Sequence, residues 1–433
     1  MRFGICTGPE NIELLEKLGY DFNEWEKLYG SELRAASHSE RFRYFIKQAY
    51  AVTGQKVVIL IDEYDKPLLD TAGNKELQDI YRSQLKAFYG NLKNCDQYIE
   101  FAMLTGVSRF GKLSIFSDLN NLQDISLSEE YSAICGMTIE EIRDNFDAGV
   151  RELAVRNEMS VDEAYEQLKK NYDGYHFSPT SPDIYNPFSL LSALSSGYFG
   201  AYWFSTGTPT FLVKMIRDMQ IDLRDLEHIE EKLNNLMDAS FDLSNAIPLM
   251  YQSGYLTISS YNRRFGTVQL DYPNEEVEQG FLDMLMKIYT QSRSGRSEFD
   301  VRRFVLDVEA GRVDDFMTRL QALFSGYQYD QIDLGNLELH YRNVIYLAMK
   351  LMGFYTHAEM RTAAGRIDLL VRTPDYLYLF EFKINKSAQA AMDQINDRDY
   401  LLPFQADGRK IVKVGVNFDD TIRSISEWIV EFE

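Results

Sequence analysis

The chain has little sulfur or imidazole from which to build a site: three cysteines and five histidines in 433 residues. Cys6, Cys95 and Cys135 are scattered, odd in number and in no paired motif. That argues against a disulfide frame and a thiolate zinc site, and it fits a reducing cytosol. The histidines are equally dispersed and read as structural or exposed rather than as ligands. No window approaches the roughly 20 continuous apolar residues of a membrane span. No basic region followed by an apolar stretch opens the chain, so a secretory signal is not expected either. Positive charge is also short, with 45 Lys and Arg against 66 Asp and Glu and a net charge of −21. Affinity for a nucleic-acid duplex comes largely from phosphate neutralisation, so this chain should not coat nucleic acid unspecifically. The deficit is uneven. From Asn336 to Glu433, 12 basic residues face 14 acidic ones, which leaves −2, whereas the other 335 residues carry 33 against 52, which leaves −19. A near-neutral C-terminal part can keep a local basic groove.

What is present is enough for a globular protein of two to four domains, with 45% hydrophobic and 13% aromatic residues. The most informative stretch is GRIDLLVRTPDYLYLFEFKINK, Gly365 to Lys386. It reads as two strands about a turn at Pro374-Asp375, each run rich in β-branched, aromatic and aliphatic residues. Symmetric pairing about that turn sets Leu370 opposite Leu379, Asp368 opposite Glu381 and Arg366 opposite Lys383. With a side-chain period of two, Ile367, Leu369, Val371, Tyr378, Phe380 and Phe382 form a core face. Arg366, Asp368, Glu381 and Lys383 cluster on the other. Opposed Cβ atoms lie roughly 5 Å apart, so two carboxylates there could share one divalent cation. A four-residue loop from Thr373 to Tyr376 keeps this pairing, and a three-residue loop would shift it. The same residues also suit an ordinary half-exposed hairpin with solvated charges.

Asp368, a turn and then Glu381-Phe382-Lys383 resemble the core of the PD-(D/E)XK nuclease superfamily, with an acid on one strand and E-x-K on the next. A helical run from Leu337 to Met352 precedes them, with Tyr341, Val344, Ile345, Ala348, Leu351 and Met352 at helical spacing. A second helical run from Ser387 to Leu401 and the strand KIVKVGVNF follow, which completes the α-β-β-α-β order of that superfamily. The resemblance implies metal-dependent phosphodiester hydrolysis. Asp368 and Glu381 would hold Mg2+ or Mn2+, Glu338 would add a ligand, Lys383 would orient or deprotonate the attacking water, and Gln394 would support the site.

Upstream, KVVILIDEYDKPLLD places the apolar run Val57–Ile61 before Asp62-Glu63. The run suits a strand buried on both faces of a parallel sheet, and its acidic end has the form of a Walker B motif. The helical stretch before it, SERFRYFIKQAYAVTG, has Ser39 as its expected cap. LIDEYDKPLLD, TGVSRFGKLSIFSDLNNLQDISL, ICGMTIEEI, YDGYHFSPTSPDIYNPFSLLSAL, YWFSTGTPTFLVKMI and IPLMYQSGYLTI together resemble one bacterial family. Its members join an AAA-ATPase-like region to a C-terminal PD-(D/E)XK domain. In such proteins Thr105, ending the strand YIEFAMLT, would sit at the polar sensor position beside the γ-phosphate of ATP.

One element of that family is not found. P-loop NTPases place G-x-x-x-x-G-K-[ST] before Walker B, because its backbone N–H groups and its Lys cradle the phosphates. No Gly-Lys pair occurs before Asp62. GVSRFGKL, from Gly106 to Leu113, comes after Walker B and ends in Leu where the Mg2+-binding hydroxyl should be, so it reads as the exit loop of the sensor strand. ATP hydrolysis is therefore not expected.

The middle of the chain is mainly helical in pattern. Ser160 and Glu163 form a capping-box pair. The aromatics of YDGYHFSPTSPDIYNPF could stack on bases or pack against protein. IPLMYQSGYLTISSYNRRFGTVQLDYPNEEV reads as a helix and a hairpin tipped by Arg263-Arg264, a winged-helix-like element. The expected architecture is α/β multidomain: a divergent N-terminal segment (1–38), a truncated AAA-ATPase-like parallel core (39–134), a helical lid with the winged element (135–291), linker and helices (292–330), and a restriction-endonuclease-like domain (331–433). The expected activity is cleavage of DNA in the cytoplasm by one copy or a homo-oligomer, with no membrane partner. The alternative is a non-catalytic protein that binds nucleic acid or a partner.

Overall fold

The computed structural model describes residues 23–28, 30, 36–71, 74–107, 116, 119–205, 212, 222–226, 229–236, 246–290, 300–325, 337–353, 360–361, 369–397 and 408–433. The opening strand and helix up to Tyr20, the loop from Ser108 to Leu113, the Ser/Gly/Arg run at 291–299, Arg366, Ile367 and Asp368 lie outside the described residues, as does the side chain of Glu338. The chain is mixed α/β and divides into two compact units. One comprises Met1–Phe199, Ser205–Met219 and Ile229–Asn274, and the other Gly200–Phe204, Gln220–His228 and Glu275–Glu433.

The first unit starts from helix α1 (His38–Thr53), strand β1 (Val57–Ile61), helix α2 (Lys75–Tyr89) and strand β2 (Ile99–Leu104). β1 and β2 pair in parallel, Ile61 opposite Leu104. The cap of α1 is Ser37, not Ser39 as expected, because Glu40 three residues later completes the capping box with Ser37. Ser39 instead donates its hydroxyl to the Ala87 carbonyl at 2.7 Å and ties α1 to α2. β1 is buried on one face only, contrary to the expectation for a central parallel strand. Ile59 and Ile61 enter a core with Phe42, Phe45, Tyr81 and Leu85 of the two helices, while Val58 is 55% and Leu60 46% exposed. Among the described residues both helices contribute to the Ile59/Ile61 side.

Helices α3 (Ile139–Arg156), α4 (Val161–Tyr172) and α5 (Pro187–Ser196) follow. The capping box of Ser160 and Glu163 starts α4 as expected. Of the aromatics from Tyr172 to Phe188, Tyr172, Tyr175 and Tyr185 are buried and pack against protein, whereas Phe188 is 48% exposed. Gly174, with φ +92°, lets this loop close on Pro273, whose carbonyl oxygen would stand 2.0 Å from a Cβ. Strand β3 (Ile229–Lys232), helix α6 (Ile247–Gln252) and strands β4 (Thr257–Asn262) and β5 (Thr267–Asp271) complete the unit. β4 and β5 form the expected hairpin, and β3 adds a third antiparallel strand against β5.

The second unit runs through helices α7 (Glu275–Tyr289), α8 (Val301–Glu309), α9 (Val313–Ser325) and α10 (Leu337–Gly353). Strands β6 (Met360–Arg361), β7 (Leu369–Arg372) and β8 (Tyr376–Ile384), helix α11 (Ala388–Asp397) and strands β9 (Lys410–Asp419) and β10 (Ser424–Phe432) follow. The sheet order is β10-β9-β8-β7-β6, antiparallel except for the parallel β8/β9 pair. A parallel pair needs a crossover, and α11 is that crossover. The β7–β8 register is the symmetric one, Leu370 opposite Leu379, across a four-residue loop in which Thr373 N–H donates to the Tyr376 carbonyl at 2.8 Å. Both faces of the hairpin are buried, where the sequence pattern had one face left to charge. Tyr341, Phe316 and Phe324 cover the Phe380/Phe418 side, with Tyr341 stacked on Phe418 at 4.5 Å. Met392 and Ile395 of α11 cover Leu370, Leu377 and Leu379 on the other.

Candidate active site

Glu381 and Lys383 lie two residues apart near the end of β8, so their side chains leave the same face of the sheet. That face is the one α11 covers. Ala388, Ala391, Met392 and Ile395, at helical spacing, are its buried stripe. The residue of β9 opposite Glu381 is Gly415. A Cβ there would stand 2.6 Å from the Ala388 carbonyl oxygen and 2.9 Å from the Met392 nitrogen. Only glycine leaves room for the backbone of α11 to settle this close to the sheet. That approach carries Gln394, in the next turn, to the two charged residues.

The three side chains close a hydrogen-bonded triangle. Lys383 Nζ donates to Glu381 Oε1 at 2.8 Å and to Gln394 Oε1 at 2.8 Å. Gln394 Nε2 in turn donates to Glu381 Oε1. The Glu381 side chain is 3% and that of Lys383 16% exposed. In so little water the attraction of the pair is strengthened, while removal of one partner would strand the other at a cost of several kcal/mol. The carboxylate offers only acceptor oxygens, the donor type a hard divalent cation takes.

The turn from β8 into α11 is pinned on every side. Asn385 adopts φ 54°, a left-handed conformation that Asn tolerates. Its side chain exchanges hydrogen bonds with Asp420, donating to Oδ2 at 2.9 Å and accepting from the Asp420 N–H at 3.0 Å. Lys386 N–H donates to Asn417 Oδ1, and Ala388 N–H to Glu427 Oε1. Asn385, Gly415, Asn417 and Glu427 thus position the triangle without belonging to it. Sequence reasoning passed over them. A glycine within KVGVNF and an Asn after a strand carry no signal until the helix is laid across the sheet.

The structure brings Glu381, Lys383 and Gln394 together. Asp368 falls outside the described residues, and Glu338 is placed only by its backbone in α10. Among the described residues no three or more His, Cys, Asp or Glu side chains gather in a cluster able to hold a metal.

A second set of expected residues meets in the first unit. Thr105 and Asp62 stand at the C-terminal ends of the paired strands β2 and β1, the edge at which open parallel sheets bind ligands. Thr105 Oγ1 donates to Asp62 Oδ1 at 2.6 Å. Thr105 N–H donates to the Ile61 carbonyl and Tyr64 N–H to the Thr105 carbonyl, which extends the ladder beyond both strands. Glu63 has φ 55° and turns away to pair with Lys66 at 3.2 Å. Buried Asp65 accepts from Val107 N–H, and a Cβ on Gly106 would lie 2.5 Å from its Oδ1. Gly106 therefore serves the exit of β2, where the sequence reading had placed it.

Residues 3–116 match the family model described as a predicted AAA-ATPase, and residues 336–428 match that of the PD-(D/E)XK nuclease superfamily. The first match takes in the stretch before Ser39 that the sequence reading set apart. An uncharacterized protein in the vnfD 5′ region of Azotobacter chroococcum mcd 1 is 32% identical over 416 residues, 94% of this chain and 78% of that protein. No solved structure matches. Among the described residues no helix is long and apolar enough to cross a membrane. The chain belongs to the family in which a predicted AAA-ATPase region is joined to a C-terminal domain of the PD-(D/E)XK nuclease superfamily.

Proposed function

We propose that this chain is a metal-dependent nuclease that hydrolyses phosphodiester bonds of DNA in its C-terminal domain. The observation that carries the reading is the triangle of Glu381, Lys383 and Gln394. Glu381 and Asp368, with Glu338 as a further ligand, would hold Mg2+ or Mn2+, which when bound supplies an activated water and charge neutralisation at the phosphate. Lys383 would orient or deprotonate the attacking water and offset the charge that develops on the phosphate oxygens. Gln394 fixes the rotamers of both neighbours.

Asp62 and Thr105, joined by a hydrogen bond, have the arrangement of a Walker B acid and a sensor. We assign cleavage to the C-terminal domain alone, because the triangle lies wholly within it. A double-strand break would take two such sites, hence two copies of the chain.

The test is cleavage of circular single- and double-stranded DNA with Mg2+ or Mn2+, wild type beside Lys383→Ala, with and without ATP. Cleavage that needs the metal, stops with EDTA, disappears in the variant and ignores ATP supports the reading. A requirement for ATP would overturn the assignment to one domain. No cleavage under any condition would leave a protein that binds nucleic acid or a partner without cutting.

A further inference from the structure

The tip of the β4–β5 hairpin belongs to the first unit and takes no part in either site described above. Its base is firm: Leu256, Ile258, Val268 and Leu270 are buried. Its loop is closed by Gly266 N–H on the Asn262 carbonyl at 2.9 Å and by Arg264 N–H on Asn262 Oδ1 at 3.1 Å, with Gly266 at φ +65°. The Gly266 carbonyl also accepts Leu233 N–H, which ties the loop to the element after β3. The tip is thus ordered before any ligand arrives.

What it displays is unusual for this chain. Arg263 and Arg264 are the only charged residues between Thr257 and Leu270, and both are exposed. Neither enters an ion pair among the described residues, although the chain carries 66 acidic side chains. Phe265 is 63% exposed, with the Arg264 guanidinium over its ring at 5.2 Å from the centroid. An exposed Phe and two unpaired arginines contribute little to folding. Both arginines line a depression of about 560 Å3 together with Tyr261, Asn262, Thr267 and Gln269, and Glu230 is its one carboxylate among the described residues. Glu230 already accepts the Thr267 hydroxyl at 2.8 Å.

We infer that this tip grips single-stranded nucleic acid, the two guanidiniums on successive phosphates and the Phe265 ring against an unstacked base. Guanidinium forks suit phosphate oxygens, and an aromatic face accepts a base only where it is free of its own stack. A duplex has no such base to offer except at an end or an opened segment. The inference rests on the nuclease reading for the class of polymer alone.

The test is fluorescence anisotropy of labelled single-stranded and duplex oligonucleotides on the full chain in EDTA, so that no strand is cut, over a series of salt concentrations. Wild type, Arg263→Gln with Arg264→Gln, and Phe265→Ser are compared. The double variant should lower the slope of log affinity against log salt by about 1.4, two phosphates at about 0.7 each for single strands. Phe265→Ser should weaken single-strand binding about tenfold or more and change duplex binding little. Unaltered affinity and slope in these variants would overturn the inference. So would a wild type that fails to bind single strands, or one from which polyglutamate displaces the oligonucleotide as well as unlabelled strand does, the latter marking a surface for acidic protein. Plasmid cleavage by Lys383→Ala, measured in parallel, judges the nuclease reading separately, since binding in EDTA requires no working catalytic centre.

Discussion

Lys383 donates one hydrogen bond to an acid and another to an amide, so each of the three residues depends on the other two. Lys383→Ala should lower DNA cleavage by at least about 100-fold, the loss usual for a group that faces developing charge. Gln394→Ala removes only the brace and should cost about 10- to 100-fold, as supporting residues at metal sites do. Nicking of supercoiled plasmid measures both. Equal losses would mean that Gln394 acts in the chemistry itself. The Glu381 and Lys383 pair was legible in the sequence because residues two apart on a strand share a face whatever packs on them. The cap of α1 was legible as well and was misread: Ser37 and Glu40 already stand at capping-box spacing, which Ser39 does not share with any acid.

Helix α11 is held against β8 and β9 by small residues on its own side and by Gly415 on theirs. Gly415→Ala puts a methyl group against main-chain atoms that cannot rotate away. It should destabilise the second unit by about 1–3 kcal/mol, the range for overpacking, and should lower cleavage by carrying Gln394 off the triangle. A thermal melt and the plasmid assay together check it, and a variant of unchanged activity would show that α11 need not sit so close. Ser160→Ala offers the contrast. It removes the cap of α4 in the other unit, at a cost of about 1 kcal/mol, and should leave cleavage intact. Strand β10 carries no clean alternation, since Trp428, Ile429 and Val430 run together and its pairing with β9 shifts register between Ile425 and Glu427. Two-residue β6 and the charged β3, IEEK, carry no periodicity to find either.

The second unit as a whole should lose stability in mild acid. His340, on α10, is 6% exposed and its ring stacks on Tyr289 at 5.7 Å. Burial pulls its pKa down to about 4, so the folded protein holds it neutral where the unfolded chain, near 6.5, takes up a proton. The stabilisation is complete above pH 6.5, falls as pH drops from there to about 4, and reaches a loss of about 3 kcal/mol. Asp222 acts in a lower window. The Arg224 guanidinium, with help from Arg342, holds its carboxyl at about 2, so its contribution persists above pH 4 and fades only as pH falls towards 2. Urea midpoints between pH 7.5 and 4.5 should slope downwards for the wild type and much less for His340→Phe. Parallel slopes would show that another group sets the acid response.

Several features of this protein needed only local order along the chain. The β7–β8 register followed from a two-residue period and a Pro-Asp turn, the α4 cap from a Ser–Glu spacing, and family membership from short motifs in sequence order. The site itself needed the third dimension. Whether Gln394 reaches Glu381, why β9 carries a glycine and which face of β1 is shielded all depend on how closely a helix settles on a sheet. That distance is set by residues far apart in the chain that exclude one another's volume, and the period of a single strand or helix does not encode it.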